Sequence, residues 1–137
     1  MRTNLELGAT PSGYRLLVWR SVDAPAERVW DIFRDTARWS AWGPSLTAVE
    51  ASDRHIVSGT TGRVRTVFGV WLPFTVQTVT ATRWTWTVAG IPATGHRVEA
   101  RDAGCRAGFE VPLIVAPYVL VCWLALRAIE DLATADD

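Results

Sequence analysis

The sequence predicts an α+β domain: a short helical region, then an antiparallel sheet, then a long C-terminal helix. Three observations lead there. A strand-like run from Tyr14 to Val22 feeds a helix that opens at Pro25. Between Thr47 and Val115, Thr- and Val-rich segments alternate in polarity and are separated by glycine-containing turns. The chain then carries an uncharged stretch, Val111 to Leu126, whose later part continues as a helix to about Ala133.

The opening helix is signalled by Pro25, whose missing N–H has no intrahelical partner to lose, and by Asp23 and Glu27 at the positive end of the dipole. Val29, Trp30, Ile32 and Phe33 form its apolar stripe. Asp35 closes the stripe, and Trp39 and Trp42 follow in a turn-rich piece ended by Gly43-Pro44. Strands are expected over Thr47–Ala51, Gly62–Phe68, Pro73–Thr82, Arg83–Val88, Thr94–Arg101 and Arg106–Val115, with a further short one at His55–Val57. Gly69, Gly90-Ile91-Pro92 and Asp102-Ala103-Gly104 mark the turns. Such short connections imply sequential antiparallel neighbours. Pro117 suits the first turn of the last helix, whose uncharged first half is expected to be buried on most sides. The chain reads as one domain over residues 1–137. Its ordered core is expected over 14–133, with the first dozen residues and Thr134–Asp137 loose.

Composition narrows the function classes. With 49% hydrophobic residues, 20% charged residues and no net charge, the chain is neither disordered nor a nucleic-acid binder. All fourteen basic residues are Arg, but they are scattered and mark no phosphate site. Cys105 and Cys122 lack any CxxC or histidine partner, so no metal site or disulfide is expected and a reduced, cytoplasmic setting fits. Val111–Leu126 is shorter than the roughly 20 residues needed to cross a bilayer, and Pro112 and Pro117 interrupt it. It reads as a strand end followed by a buried helix, which disfavours membrane contact.

The segment VDAPAERVWDIFRDTARWSAW (22–42) resembles the opening of the SRPBCC, or START-like helix-grip, proteins of polyketide cyclase/dehydrase and lipid-transport type. The hairpin RWTWTVAGIPATGHRVE and the turn RDAGCR carry the same resemblance, which spans roughly Tyr14 to Ala133. It implies a curved antiparallel sheet wrapped around the long C-terminal helix, with two short helices near the N-terminus. It also implies an internal cavity for a small hydrophobic molecule, opening near Trp39–Trp42 and the adjoining hairpin loops.

Strand parity and helical spacing nominate the lining. Trp84, Trp86 and Val88 share one strand face; His96, Val98 and Ala100 share another; Phe109 faces opposite Glu110. Tyr118, Val121, Cys122 and Ala125 fall on one side of the last helix, and Phe68 and Trp71 bracket a turn that forms a lip. With Trp39 and Trp42, these aromatic rings suit flat or polycyclic ligands. His96 and Tyr118 are the candidates for proton handling. Arg63 and Arg65 are expected to face outward, because Val64 and Phe68 take the inward side; Glu99 and Glu110 read as surface charges. No Ser-His-Asp order, phosphate loop or zinc motif is present, and no cofactor is implied.

Three function classes follow. The first is a binder of an aromatic, polyketide-like or lipid-like molecule. The second is a polyketide aromatase/cyclase-type enzyme using the same cavity. The third is a protein- or membrane-interaction module without a metabolite ligand.

Overall fold

In the computed structural model, which describes residues 3–135, eight strands form one antiparallel sheet. The strands are β1 (Thr3–Thr10), β2 (Gly13–Val22), β3 (Leu46–Ala51), β4 (Thr61–Thr66), β5 (Trp71–Val79), β6 (Arg83–Val88), β7 (Ile91–Arg101) and β8 (Gly104–Val111). Their order is β1-β2-β8-β7-β6-β5-β4-β3, so every neighbouring pair is sequential except β2 with β8. Register shifts in the β3–β4, β5–β6 and β6–β7 pairs mark bulges, which bend strands and help the sheet to curl.

Helices α1 (Ala26–Arg34) and α2 (Trp39–Trp42) connect β2 to β3, which lies at the opposite edge of the sheet. The connection therefore crosses the concave face, where α1 meets β7 and β8. The Trp-x-x-Trp piece closes this crossing by chemistry as well as by packing. The Trp39 indole donates to the Phe33 carbonyl at 2.8 Å and the Trp42 indole to the Ile32 carbonyl at 3.3 Å. The end of α1 thus gains donors for carbonyls that a helix terminus leaves without partners.

The long helix α3 (Val119–Thr134) buries Cys122, Ala125, Leu126, Ile129 and Ala133 against the sheet and α1. A 3-10 segment, Leu113–Tyr118, leads into it. Its far half is fixed by an ion pair between Arg20 and Glu130 (2.8 Å) and by the Arg28 guanidinium donating to the Ala133 carbonyl (3.0 Å).

Several expectations change. Thr3–Thr10, read as loose, pairs residue for residue with β2 as an edge strand; its polarity comes from having one open edge and little core to cover. Of the other residues expected to be loose, Thr134 ends α3, and Asp136 and Asp137 lie outside the described residues. His55–Val57 contributes only an isolated bridge from His55 to Asp35. The last strand stops at Val111 rather than Val115, because Pro112 cannot donate to the ladder.

The uncharged start of the last helix is not buried all round. Leu120, Trp123 and Leu124 face solvent, as do Leu113, Ile114 and Val115 just before them.

Glu110 is the other reversal. It lies on the convex face but is only 1% exposed. Arg83 binds it in a bidentate pair at 2.7 and 2.8 Å, and Arg97 donates to the same carboxylate. Ser12, at the tip of the β1–β2 hairpin, accepts from Arg83 at 2.9 Å. Burial alone would raise the Glu110 carboxyl, but the hydrogen bonds and charges of the two arginines outweigh it and hold it below its ordinary value. Arg63 faces outward as expected, pairing with Glu50 at 2.8 Å, and Arg65 is likewise solvent-exposed, while Val64 is buried beneath.

Candidate functional site: an aromatic chamber beneath an apolar cleft

The concave face is divided into two compartments. Deep between the sheet, α2 and α3 lies a chamber of about 40 Å³, lined by Trp39, Trp42, Trp84, Trp86, His96, Phe109, Tyr118, Val121, Cys122 and Ala125, among others. Trp84 is its centrepiece. Its indole is sandwiched between Trp39 (centroids 5.3 Å apart, planes 3°) and the His96 imidazole (3.7 Å, 8°). Trp86 and Phe109 meet these rings edge-on, an arrangement that suits aromatic quadrupoles. A volume of this size holds water molecules and nothing larger.

His96 is 1% exposed and points inward, as strand parity predicts. Its ring nitrogens are both engaged. Nδ1 lies 3.3 Å from the Trp84 carbonyl, which can only accept, so Nδ1 carries the proton. Nε2 is then the acceptor for the Thr94 hydroxyl at 3.2 Å, and Thr94 in turn accepts from the Trp86 indole at 3.4 Å. Desolvation pushes the imidazole pKa down to about 3, more than offsetting the Trp84 carbonyl and the negative charge of Glu110. The chamber therefore holds a neutral histidine whose basic lone pair is already used. The Trp84 Nε1–H has no partner within the described residues. Burial also raises the Cys122 thiol to about 12, so this lining residue stays an uncharged thiol.

Above the chamber the concave face opens into a cleft of about 460 Å³. Its walls come from β4 (Val64, Thr66), β5 (Leu72), β6 (Trp86, Val88), the start of β7 (Ile91), the β4–β5 turn (Val67, Phe68), the β6–β7 turn (Ala89) and the 3-10 segment (Val115, Tyr118). None of the lining residues is charged. Chamber and cleft share Ser45, Leu46, Trp86, Thr94 and Tyr118. The partition between them is tied by a 2.8 Å hydrogen bond between the hydroxyls of Ser45 and Tyr118. Desolvation raises the Tyr118 phenol despite that bond, so it remains a neutral donor at ordinary pH.

Of the residues nominated from sequence, Trp39, Trp42, Trp84, Trp86, His96, Phe109, Tyr118 and Cys122 line the chamber, and Phe68 lines the cleft. Val98 is buried in the core but borders neither compartment. Trp71 lies on the convex face, where the Arg63 guanidinium sits 4.2 Å from its ring centroid. Parity explains this: Phe74 and Val76 take the inward side of β5, so Trp71 shares the outward side with Pro73. Ser45, Leu46, Thr94 and Leu72 were missed. Leu72 was legible by counting back from Phe74, whereas Ser45 and Leu46 follow Gly43-Pro44 at the entry to β3, where no periodicity is yet established. Among the described residues no group of three or more His, Cys, Asp or Glu side chains converges as a metal site.

An antiparallel sheet curled over one long helix, with an aromatic chamber between them, defines a helix-grip protein. A family model described as polyketide cyclase / dehydrase and lipid transport matches residues 18–129, and the chain belongs to that family. Solved structures agree on the fold. Protein Ms6760 from Mycobacterium smegmatis is 17% identical with a TM-score of 0.62, over 98% of this chain and 99% of its own. CalU16 from Micromonospora echinospora is 18% identical with a TM-score of 0.64, over 96% and 85% respectively. The di-domain ARO/CYC BexL of the BE-7585A biosynthetic pathway is 16% identical with a TM-score of 0.62; the match covers 99% of this chain and 52% of BexL. No curated protein matches the sequence significantly.

Proposed function

We propose that the chain binds a small, uncharged hydrophobic molecule, aromatic, polyketide-like or lipid-like, in the cleft above the aromatic chamber. The observation that carries this reading is the cleft itself: about 460 Å³, open to solvent and without a charged lining residue. Its size lies within the roughly 300–1,000 Å³ of small-molecule sites. Transfer of apolar area from water supplies the driving force. Trp86 offers a flat wall, while Thr94, Ser45 and Tyr118 offer the few polar groups that orient a ligand. A charged ligand would be stranded there without a counter-ion. The two buried, unpaired thiols support a cytoplasmic setting.

Titration with the neutral fluorescent probe N-phenyl-1-naphthylamine tests the site. Saturable one-to-one binding is expected. Ala93→Phe, which places a ring into the cleft, should weaken it roughly tenfold or more. Binding that never saturates, or that ignores Ala93→Phe, sinks the reading.

A second reading is favoured by one observation, the Ser45–Tyr118 hydroxyl pair at the junction of the two compartments. There the Tyr118 phenol would donate to a ligand carbonyl and polarise it in an aromatase/cyclase-type reaction. Tyr118→Phe would then abolish turnover of a poly-β-ketone while leaving probe affinity within about twofold.

A further inference from the structure

We infer that a second pocket, formed where the ends of α1 and α3 meet the β3–β4 connection, binds a small organic anion through its carboxylate or phosphate group. The pocket has a volume of about 210 Å³ and shares no lining residue with the chamber or the cleft. Its character is the reverse of the cleft's. Five of its eight lining residues are ionisable: Arg28, Asp31, Asp35, Arg38 and His55. Along the sequence the arginines are scattered and mark no phosphate site, but the fold gathers two of them here. Arg28, Asp31 and Asp35 are spaced i, i+3, i+7 along one face of α1 and its C-terminal cap. Arg38 comes from the 3-10 turn Thr36–Arg38, and His55 from the connection between β3 and β4.

The walls are fixed before any ligand arrives. His55 forms its bridge to Asp35, the Thr36 N–H donates to the Arg54 carbonyl at 2.8 Å, and the Ile56 N–H donates to the Arg34 carbonyl at 3.0 Å. The β3–β4 connection is thereby stitched to the end of α1, so little ordering remains to be done on binding.

Charge decides the ligand. Asp35 is already spent. It is 5% exposed and accepts two bonds from Arg54 at 3.0 Å each and a third from the Ala37 N–H at 3.0 Å. The Arg54 guanidinium holds its carboxyl below the ordinary value, so this negative charge is matched by a cation that does not line the pocket. What remains in the lining is two guanidiniums and an imidazole against the single carboxylate of Asp31. Arg28 uses one N–H on the Ala133 carbonyl at 3.0 Å, which answers the negative end of α3. Arg38 reaches Asp35 only at 3.8 Å, beyond hydrogen-bonding distance. Each guanidinium carries five donors, and its planar fork suits two oxygens of a carboxylate or phosphate. A metal ion would find no group of three ligands among the described residues, and an organic cation would meet both arginines. Ile32 and Leu132 add apolar surface for a short carbon chain. A volume of about 210 Å³ equals that of about seven water molecules in the liquid, which suits a compact anion and not a drug-sized one.

Titration of the full chain with succinate and with inorganic phosphate, at constant ionic strength and followed by amide NMR, tests the site. At least one anion should shift the Arg38 and His55 amides saturably, with a dissociation constant of about 1 mM or lower. Saturation by succinate alone assigns a carboxylate ligand, and saturation by phosphate alone a phosphate. Arg38→Gln should weaken binding about tenfold. Its urea midpoint should match the wild type, since the Arg38 side chain is 51% exposed and makes no hydrogen bond among the described residues. Asp31→Asn removes the opposing carboxylate and should tighten binding about threefold, a gain that damage to the fold cannot produce. Arg65→Gln, at an exposed arginine on β4, should bind like the wild type. The absence of a saturable shift with either anion overturns the inference. So does full affinity in Arg38→Gln, a loss in Asp31→Asn, or an Arg65→Gln loss equal to that of Arg38→Gln. The outcome is independent of the cleft: a chain that does not bind N-phenyl-1-naphthylamine can still bind the anion, and the reverse.

Discussion

The two ends of the concave face are built from the same kinds of residue and do opposite things. At the closed end, Trp39, Trp84, His96, Phe33 and Phe109 are packed ring to ring, and only about 40 Å³ is left open. At the open end, Phe68, Ile91 and Val115 stand around about 460 Å³ and leave much of their surface in water. Aromatic and aliphatic composition alone therefore does not separate a core from a site. What separates them is whether the chain brings a second layer: α1 and α2 cover the closed end, and nothing within residues 3–135 covers the mouth.

The largest test of that contrast compares one ring from each end. Trp84→Ala should cost about 3–5 kcal/mol, because it deletes a fully buried indole together with two stacking partners. That is a large share of the roughly 5–15 kcal/mol that holds a typical domain folded. Phe68→Ala should stay within about 0.5 kcal/mol, the ordinary scale for a surface side chain. Urea unfolding of the pair measures both. Equal losses would mean that the mouth is part of the core after all.

Acid provides a gentler break confined to the closed end. An unfolded His96 titrates near 6.5 and the folded one near 3, so between those values only the unfolded chain takes up the proton. Stability is then flat above about pH 7 and falls on acidification, by up to ~1.4 kcal/mol for each pH unit below 6.5. Asp35 and Glu110, both held below their ordinary values, add losses of the same sign only below about pH 4.5. Unfolding midpoints between about pH 7 and pH 5 should therefore isolate the histidine, and His96→Gln should flatten the slope. A wild type that is equally stable across that range would contradict the neutral, hydrogen-bonded imidazole.

Period-2 alternation made the closed end legible. Trp84, Trp86, His96 and Phe109 could be placed inward by counting, because each lies on a strand with at least one unambiguous apolar neighbour on the same face. The same counting did not reveal the burial of Glu110. Parity put it on the convex face, correctly, but solvent exposure did not follow, because Arg83, Arg97 and the β1–β2 hairpin close over it. Burial by a tertiary cap leaves no periodic trace. The mouth was hardest to read for a related reason. An uncharged helix such as 119–126 looks the same in sequence whether sheet, lipid or water lies against its second face. Trp71 shows the limit within a single strand: its ring belongs outward with Arg63, and the lip assigned to it is made by Phe68 and Ile91.

The smallest effect expected is a gain, and it belongs to the open end. The β6–β7 turn is a two-residue connection in which Val88 pairs with Ile91, and both central residues have positive φ: Ala89 at 52° and Gly90 at 77°. That is the type I′ geometry whose handedness matches strand twist, and it favours Asn-Gly. Glycine suits the second position, but alanine at the first keeps its Cβ close to the backbone carbonyl, a left-handed conformation costing roughly 1–2 kcal/mol. The turn tolerates this because Ala89 donates its N–H to the Pro73 carbonyl at 2.7 Å, which locks the rim of the cleft to β5. Ala89→Asn should therefore raise stability by about 0.5–1 kcal/mol, seen as a higher urea midpoint, with the transition slope unchanged. Strain relieved by one substitution at the rim, with no comparable gain available in the chamber, would place the stored backbone strain at the open end, where ligand binding is proposed. A neutral or destabilising outcome would mean that the alanine is relaxed there and that both ends of the concave face are equally free of strain.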